Sequence, residues 1–183
     1  MPAPSPLLLG TIRAIARFTG WIGWAVAWLI VPLVVAVTYE VVARYVFDAP
    51  TIWAYDVSYM LYATIFMLGA SYALRQGAHI RTDMLWEGYS DRTKGIIDSA
   101  AYILFFFPGL LLLFVASFDE AVYAWQIGER SEQTAWRPIL WPLKAVVPLT
   151  ALLLMVQGVS ELLKSLYAAR TGRMLERHEV IQL

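Results

Sequence analysis

Cysteine is absent from the 183-residue sequence, and this absence excludes disulfide bonds, iron–sulfur clusters and thiol catalysis. Charge is scarce as well, since Asp, Glu, Lys and Arg make up 15% of the residues, compared with about 25% in soluble domains. Acidic and basic residues number 14 each, so the net charge gives no indication of a nucleic-acid partner. With 60% hydrophobic residues, eight Trp and ten Tyr, the composition is typical of a membrane protein of one domain.

Residues that commonly perform catalysis or bind metals are also rare. The two histidines, His79 and His178, lie outside the long apolar runs, whereas a helical-bundle haem protein needs histidine inside the bundle. The sequence contains no Gly-x-Ser-x-Gly, no His-Glu-x-x-His and no phosphate-binding loop. The adjacent carboxylates Asp119 and Glu120 are interpreted as a solvated helix end, because acidic side chains are common on surfaces. We therefore predict no enzymatic activity, no cofactor and no metal site.

Four long uncharged runs dominate the chain. They contain 19, 18, 20 and 16 residues, and they are Trp21–Tyr39, Val57–Leu74, Ser99–Phe118 and Ala145–Ser160. A membrane-spanning helix needs about 20 apolar residues. The shortest run can be extended, because Lys144 can snorkel and Pro142 can open a helix. The predicted fold is an all-α integral membrane domain with four transmembrane helices, at about 21–43, 57–74, 97–124 and 142–163, followed by a frayed tail at 172–183.

The first run follows Arg13 and Arg17, a pattern that is also found in cleaved signal peptides. The apolar core of a signal peptide has about 7–15 residues, and this run is longer. We therefore interpret it as an uncleaved membrane span. Pro32 within the run is tolerated in a membrane helix.

Basic residues are distributed unevenly between the two sides that four spans define. The N-terminal segment, the connector after the second span and the tail hold ten of the 14 Lys and Arg residues. By the positive-inside rule, these segments and both termini are expected in the cytoplasm. The connector Arg75–Asp98 mixes charges with Ile80, Met84, Leu85 and Trp86. This mixture predicts a segment that lies in the membrane interface, with an ordinary solvated connector as the alternative.

Polar groups in the middle of the spans are few, and none of them is charged. Gln157 in the fourth run could line a transport path, but a lone polar side chain in a membrane helix more often bonds to a neighbouring helix, and we favour that interpretation. After the first span, Arg44 stands close in sequence to Asp48 and Asp56. These three residues could form a functional cluster, although an ion pair within the fold is the commoner explanation.

The second span ends where charge returns, at Arg75. A helix that continued past this point would carry Arg75, His79 and Asp83 on one face, at i, i+4 and i+8. Gly77 could end the helix first. We expect His79, Arg81 and Asp83 to stabilise a cytoplasmic turn through their complementary charges and to have no catalytic role.

Three stretches of the chain carry a family resemblance. The first contains Arg44-Tyr45-Val46-Phe47, Pro50 and Trp53-Ala54-Tyr55-Asp56, and the second runs from Gly69-Ala70 through Arg75 to His79-Ile80-Arg81-Thr82-Asp83. The third contains Arg130-Ser131, Pro138, Trp141-Pro142, Pro148, Gln157-Gly158 and Glu161. In this order and spacing, over roughly residues 12 to 170, they resemble the small membrane subunit of tripartite ATP-independent periplasmic (TRAP) transporters, the DctQ-like family. One departure is Asp56, where the family more often has Glu.

The resemblance implies a role that the composition does not show. Proteins of this family pair with a large multi-spanning subunit that holds the substrate and sodium sites, and a periplasmic binding protein delivers the solute, commonly an organic acid. The resemblance therefore implies a scaffold that braces the large subunit in the inner membrane of a prokaryotic cell. The residues of the matching motifs are then structural, and they are Arg44, Trp53, Asp56, Arg75, His79, Arg81 and Asp83.

Docking of the binding protein is expected on the side opposite the cytoplasm. The segments there carry seven acidic and four basic residues, a net charge of −3, and Glu129 and Glu132 are the candidate docking residues. The alternative function is an unrelated four-span assembly or regulatory subunit of a membrane complex. An enzyme is a more remote alternative, because the spans supply few converging polar residues.

Overall fold

The computed structural model describes residues 5–77 and 88–175, and every regular element in these ranges is helical. In chain order the elements are α1 (Pro6–Ala27), α2 (Ile30–Val46), α3 (Ala54–Arg75), α4 (Asp91–Ala101), a π-helical segment (Tyr102–Phe106), α5 (Phe107–Gln126) and α6 (Trp141–Thr171). Four stretches are long and apolar enough to cross a membrane, namely Pro6–Val46, Ala54–Arg75, Asp91–Gln126 and Trp141–Thr171. The predicted all-α membrane fold with four spans is thereby confirmed.

The first span consists of two helices, because the chain turns at Trp28 and Leu29. Pro32 explains the position of the turn, since it has no N–H to donate to the Trp28 carbonyl and its ring crowds that oxygen. The backbone N–H of Val31 donates to the Trp28 carbonyl instead, at 3.2 Å. The helix begins at Pro6, well before the predicted start of the span at residue 21.

A second irregular turn comes just before Pro108. The Phe107 N–H donates to the Tyr102 carbonyl five residues earlier, which widens the helix into a single π-helical turn. The neighbouring Phe106 ring packs against Gly158 of α6, where a Cβ would lie 2.4 Å from the ring. The widened turn therefore lies where the third span contacts the fourth.

Helix α6 is the most buried of the spans, and it packs against α1, α3, α4 and α5. Its buried side chains are mostly small or polar: Pro148, Thr150, Ala151, Leu153, Gln157, Gly158, Ser160, Glu161, Ser165 and Ala168. Small residues let helix backbones approach closely in a membrane. The approach of α4 is very close, since a Cβ on Gly95 would lie 2.4 Å from the Ala169 nitrogen and 2.6 Å from the Ser165 carbonyl oxygen.

The connector after the second span is shorter than the sequence suggests. Helix α4 begins at Asp91, where Ser90 accepts a hydrogen bond from the Thr93 N–H through its Oγ at 3.2 Å. The range 91–98 is therefore helix leading into the third span, and not part of a separate interfacial segment. The rest of that predicted segment falls on 78–87, outside the described residues.

Glycines in the left-handed region follow three of the helices. The φ angles are 72° at Gly77 after α3, 60° at Gly128 after α5 and 68° at Gly172 after α6. Glycine is favoured there because it has no Cβ to clash in this conformation. Of the two alternatives for the end of the second span, the structure shows the break at Gly77, and α3 ends at Arg75.

Candidate functional site

Several of the predicted structural residues meet at one end of the bundle, which contains the α2–α3 and α5–α6 connectors and is called the Asp56 end here. The Arg44 guanidinium donates from Nε to Glu40 Oε1 at 2.8 Å, one helical turn earlier. Glu40 Oε2 accepts the Thr51 N–H at 2.9 Å and also the Thr51 hydroxyl. Arg44 therefore pairs with Glu40, on its own helix face, and not with Asp48 or Asp56.

Trp53 precedes α3 and stacks on Tyr39 of α2, with the ring centroids 5.7 Å apart and the planes at 28°. Stacked aromatic pairs add to the stability that their buried area provides. The turn between these residues is tight, since the Ala49 N–H donates to the Ala43 carbonyl at 2.9 Å. Trp53 thus holds the α2–α3 turn from one side and the Glu40 cluster holds it from the other.

Asp56 lies in the first turn of α3 and is 1% exposed. Its carboxylate accepts a hydrogen bond from Ser131 Oγ at 2.7 Å and another from the Thr134 hydroxyl. The N-terminal end of a helix also favours a negative charge at this place. Asp56 therefore ties the start of the second span to the connector between the third and fourth spans.

The α5–α6 connector is folded on itself as a short loop. The Ser131 N–H donates to the Pro138 carbonyl at 2.8 Å, and the Leu140 N–H donates to the Glu129 carbonyl at 2.9 Å. These bonds bring the two ends of the loop together. The backbone that carries Ser131 is thus held in place by hydrogen bonds where its side chain bonds to Asp56.

The two candidate docking residues differ in their surroundings. Lys144 Nζ lies 2.6 Å from Glu129 Oε2 and 2.6 Å from Glu120 Oε1, so Glu129 belongs to an ion pair within the loop region. Glu132 is exposed and lines a groove of about 450 Å³ beside Tyr55 of α3. Of the two residues, Glu132 is therefore the more accessible to solvent.

A second chain of polar contacts lies at the opposite end, which contains the end of α3 and the start of α4 and is called the Arg75 end here. Thr19 Oγ1 of α1 donates to Gln157 Oε1 of α6 at 2.9 Å, and Gln157 Nε2 donates to Glu161 Oε1 at 2.9 Å. Lys164 Nζ donates to the same Glu161 oxygen at 3.1 Å. This contact confirms the interpretation that Gln157 forms a hydrogen bond to a neighbouring helix.

The burial of Glu161 was missed by sequence reasoning, which placed this residue just beyond the fourth uncharged run. Glu161 is 7% exposed. It lies 20 residues after Trp141, which corresponds to about 30 Å of helix and hence to the far boundary of a bilayer. The spacing of Gln157, Glu161 and Lys164 on one helix face was the signal that could have identified the cluster.

Arg75 is the last residue of α3. Its guanidinium carbon lies 5.9 Å from the centre of the Tyr72 ring, and its Nη1 is 2.4 Å from the place that a Cβ on Gly20 would occupy. The other residues predicted for this end, His79, Arg81 and Asp83, lie outside the described residues, so their stabilising role stays a prediction.

The polar contacts join helices and connectors to one another. Among residues 5–77 and 88–175, no group of three or more His, Asp and Glu side chains is arranged to hold a metal ion. The charged residues lie toward the two ends of the spans, and the centres of all four uncharged runs are left without one. The chemistry that this arrangement supports is attachment between helices.

The comparisons with known proteins give one match. The family model described as tripartite ATP-independent periplasmic transporters, DctQ component, matches residues 33–168, a range that begins in α2 and ends near the end of α6. No curated protein and no solved structure matches the chain. Because the matched range covers most of the chain and includes both connectors of the Asp56 end, the chain belongs to the DctQ family, the small membrane component of TRAP transporters.

Proposed function

We propose that this chain braces the large membrane subunit of a sodium-driven, binding-protein-dependent transporter for an organic acid or a similar solute. Membership of the DctQ family supports a role in a transporter, with a large membrane subunit and a binding protein as partners. It also argues against the alternative of an unrelated assembly subunit. Since the family is one of transporter components, we propose no enzymatic activity. A regulatory role within the transporter is the remaining alternative.

The observation that carries the bracing role is the position of α6 at the centre of the bundle. This helix packs against each of the other spans, and Thr19 and Gln157 bond it to α1 at 2.9 Å. The span centres lack ionisable residues, so sodium and an anionic solute would find no charged partner there, at a cost of several kcal/mol or more in hydrocarbon. A firmly joined bundle without such ligands suits a support for a moving partner.

The outer surface of the spans supports the same conclusion. Large apolar side chains face away from the bundle on three helices, for example Val35 of α2, Phe66 of α3 and Leu112 of α5. In a membrane these faces contact lipid tails or helices of another subunit. We infer that the large subunit covers part of this surface and that lipid covers the rest.

The proposed location is the inner membrane of a prokaryotic cell, with the Arg75 end in the cytoplasm. The segments at that end hold ten of the 14 Lys and Arg residues, and basic connectors are retained on the cytoplasmic side. The Asp56 end then faces the periplasm, where the binding protein delivers the solute. Glu132 is the proposed contact, because it is exposed there.

The test is reconstitution into liposomes with an inward sodium gradient and the cognate binding protein. Four preparations are compared, namely this chain alone, the large subunit alone, both subunits together and protein-free liposomes. We expect solute uptake only when both subunits are present. Uptake by this chain alone would contradict the proposal, and full uptake by the large subunit alone would favour the regulatory role.

A further inference from the structure

A groove of about 830 Å³ lies between α1 and α3 at the Arg75 end. Arg17 and Arg75 line it together with two glycines of α1, Gly20 and Gly23, and two tryptophans, Trp21 and Trp24. We propose that this groove binds the phosphate of an anionic phospholipid headgroup. The proposal goes beyond the bracing role, because it concerns a ligand of this chain itself and not its attachment to the large subunit.

The two arginines give the groove its charge. They come from different helices, and within the described part of the chain the ion pairs of Asp and Glu are made by Arg44, Lys144 and Lys164, not by Arg17 or Arg75. The planar guanidinium group presents paired N–H donors that match the oxygens of a phosphate. Among residues 5–77 and 88–175, Arg17 and Arg75 pair with no carboxylate, and together they form a basic site for a phosphate.

The two glycines explain why Arg75 and Tyr72 of α3 lie so close to α1. A Cβ on Gly20 would lie 2.4 Å from Arg75 Nη1, and a Cβ on Gly23 would lie 2.5 Å from the Tyr72 ring. Side chains at these positions would displace the arginine and the tyrosine from their place beside α1. Because both positions are glycine, the guanidinium group of Arg75 lies against the backbone of α1, on the same groove as Arg17.

The two tryptophans indicate that the ligand is a lipid. Trp21 is 75% exposed and Trp24 is 62% exposed, and their ring centroids are 6.2 Å apart. Exposed indoles of membrane proteins lie at the level of the lipid headgroups. Basic pockets between membrane helices bind anionic headgroups at this level. The groove is thus bordered by a surface on which the acyl chains of the same lipid can lie.

The test measures phospholipid bound to the purified full-length chain in detergent, by native mass spectrometry, during titration with phosphatidylglycerol or phosphatidylcholine. We expect preferential binding of phosphatidylglycerol. The double variant Arg17→Gln with Arg75→Gln should bind it roughly 30-fold more weakly, because each basic residue near the headgroups contributes a similar increment. The matched control is Arg13→Gln, one helical turn from Arg17 and outside the groove lining, which should bind as the wild type does.

A second variant and a competitor complete the test. Arg17→Gln alone removes an exposed side chain, so its fold is retained, and we expect roughly fivefold weaker binding. Glycerol 3-phosphate in excess should leave the lipid bound, whereas displacement would show a site for free phosphate and overturn the proposal. Equal binding of phosphatidylcholine, or unchanged binding in both arginine variants, would also overturn it. Loss of the lipid from the assembled two-subunit complex would show that a helix of the large subunit fills the groove.

Discussion

The Asp56 carboxylate accepts a hydrogen bond of 2.7 Å from Ser131, which stands 75 positions later in the chain. The bond joins the first turn of α3 to the connector before α6, and Thr134 adds a second bond to the same carboxylate. Because the carboxylate is buried, these two hydroxyls take the place of water around its charge. Asp56 therefore attaches the start of the second span to the connector that leads into the fourth span.

Replacing that side chain should loosen the connector. For Asp56→Asn we expect a loss of about 1–3 kcal/mol in the free energy of unfolding, because the amide is uncharged and its Nδ2 cannot accept the hydrogen bond of the second hydroxyl. The measurement is a denaturant titration in detergent micelles, followed by circular dichroism. Asp48→Asn is the matched control, since Asp48 is exposed and asparagine tolerates its positive φ of 48°. Equal losses in the two variants would contradict the role of Asp56.

The bond between α1 and α6 can be measured with a double-mutant cycle. Thr19→Val and Gln157→Leu each remove one partner, and the coupling between them should be about 0.6–1.7 kcal/mol, the range found for hydrogen bonds between membrane helices. Thr11→Val serves as the control, because the Thr11 hydroxyl donates to the Leu7 carbonyl of its own helix. A coupling energy near zero would show that Thr19 and Gln157 do not act as a pair.

The close approach of α4 to α6 predicts a strong difference between two glycines. Gly95→Ala would place its Cβ 2.4 Å from a backbone nitrogen of α6, so we expect a destabilisation of about 1–3 kcal/mol. Gly109→Ala has no neighbouring atom within 4 Å and should be neutral, or stabilising by up to about 1 kcal/mol. Thermal unfolding of the two variants in the same detergent makes the comparison. A stable Gly95→Ala protein would rule out the contact.

Docking of the binding protein should depend on Glu132. We expect Glu132→Gln to slow association with the binding protein and to reduce the salt dependence of the association rate, because charged surfaces steer encounters. Stopped-flow measurements at several salt concentrations give this rate. Glu129→Gln is the comparison variant. Because Glu129 pairs with Lys144, its replacement removes an ion pair of the loop as well as a charge. If neither variant alters the rate, docking takes place on the large subunit.

Reporter fusions can test the proposed orientation. Fusions at Pro50 and Glu132 should report the periplasm, and fusions at Trp86 and the C-terminus should report the cytoplasm. The reason is that basic residues are concentrated in the connector that contains Trp86 and in the C-terminal tail. Alkaline phosphatase and green fluorescent protein give opposite readouts and so provide the internal control. A periplasmic signal at Trp86 would reverse the orientation.

The number of spans could be predicted from the sequence because an uncharged run of suitable length is a local property. The end of α3 before Gly77 is local in the same way, and Gln157 was correctly assigned because a membrane offers a lone amide few partners other than a neighbouring helix. The partners of Arg44 and Asp56 were not predicted. Asp56 bonds to Ser131, and nothing in the intervening sequence indicates which loop will fold onto it.

The turn at Trp28 and Leu29 has a mechanical consequence. A continuous helix of 41 residues would be about 60 Å long, and a tilt imposed at one end would move the other. Since the first span is divided, its two helices can be compared by their principal neighbours. Helix α1 packs against α3 and α6, whereas α2 packs mainly against α3. Through its contacts, α2 therefore acts on α6 mainly by way of α3, whereas Thr19 and Gln157 bond α1 to α6 directly.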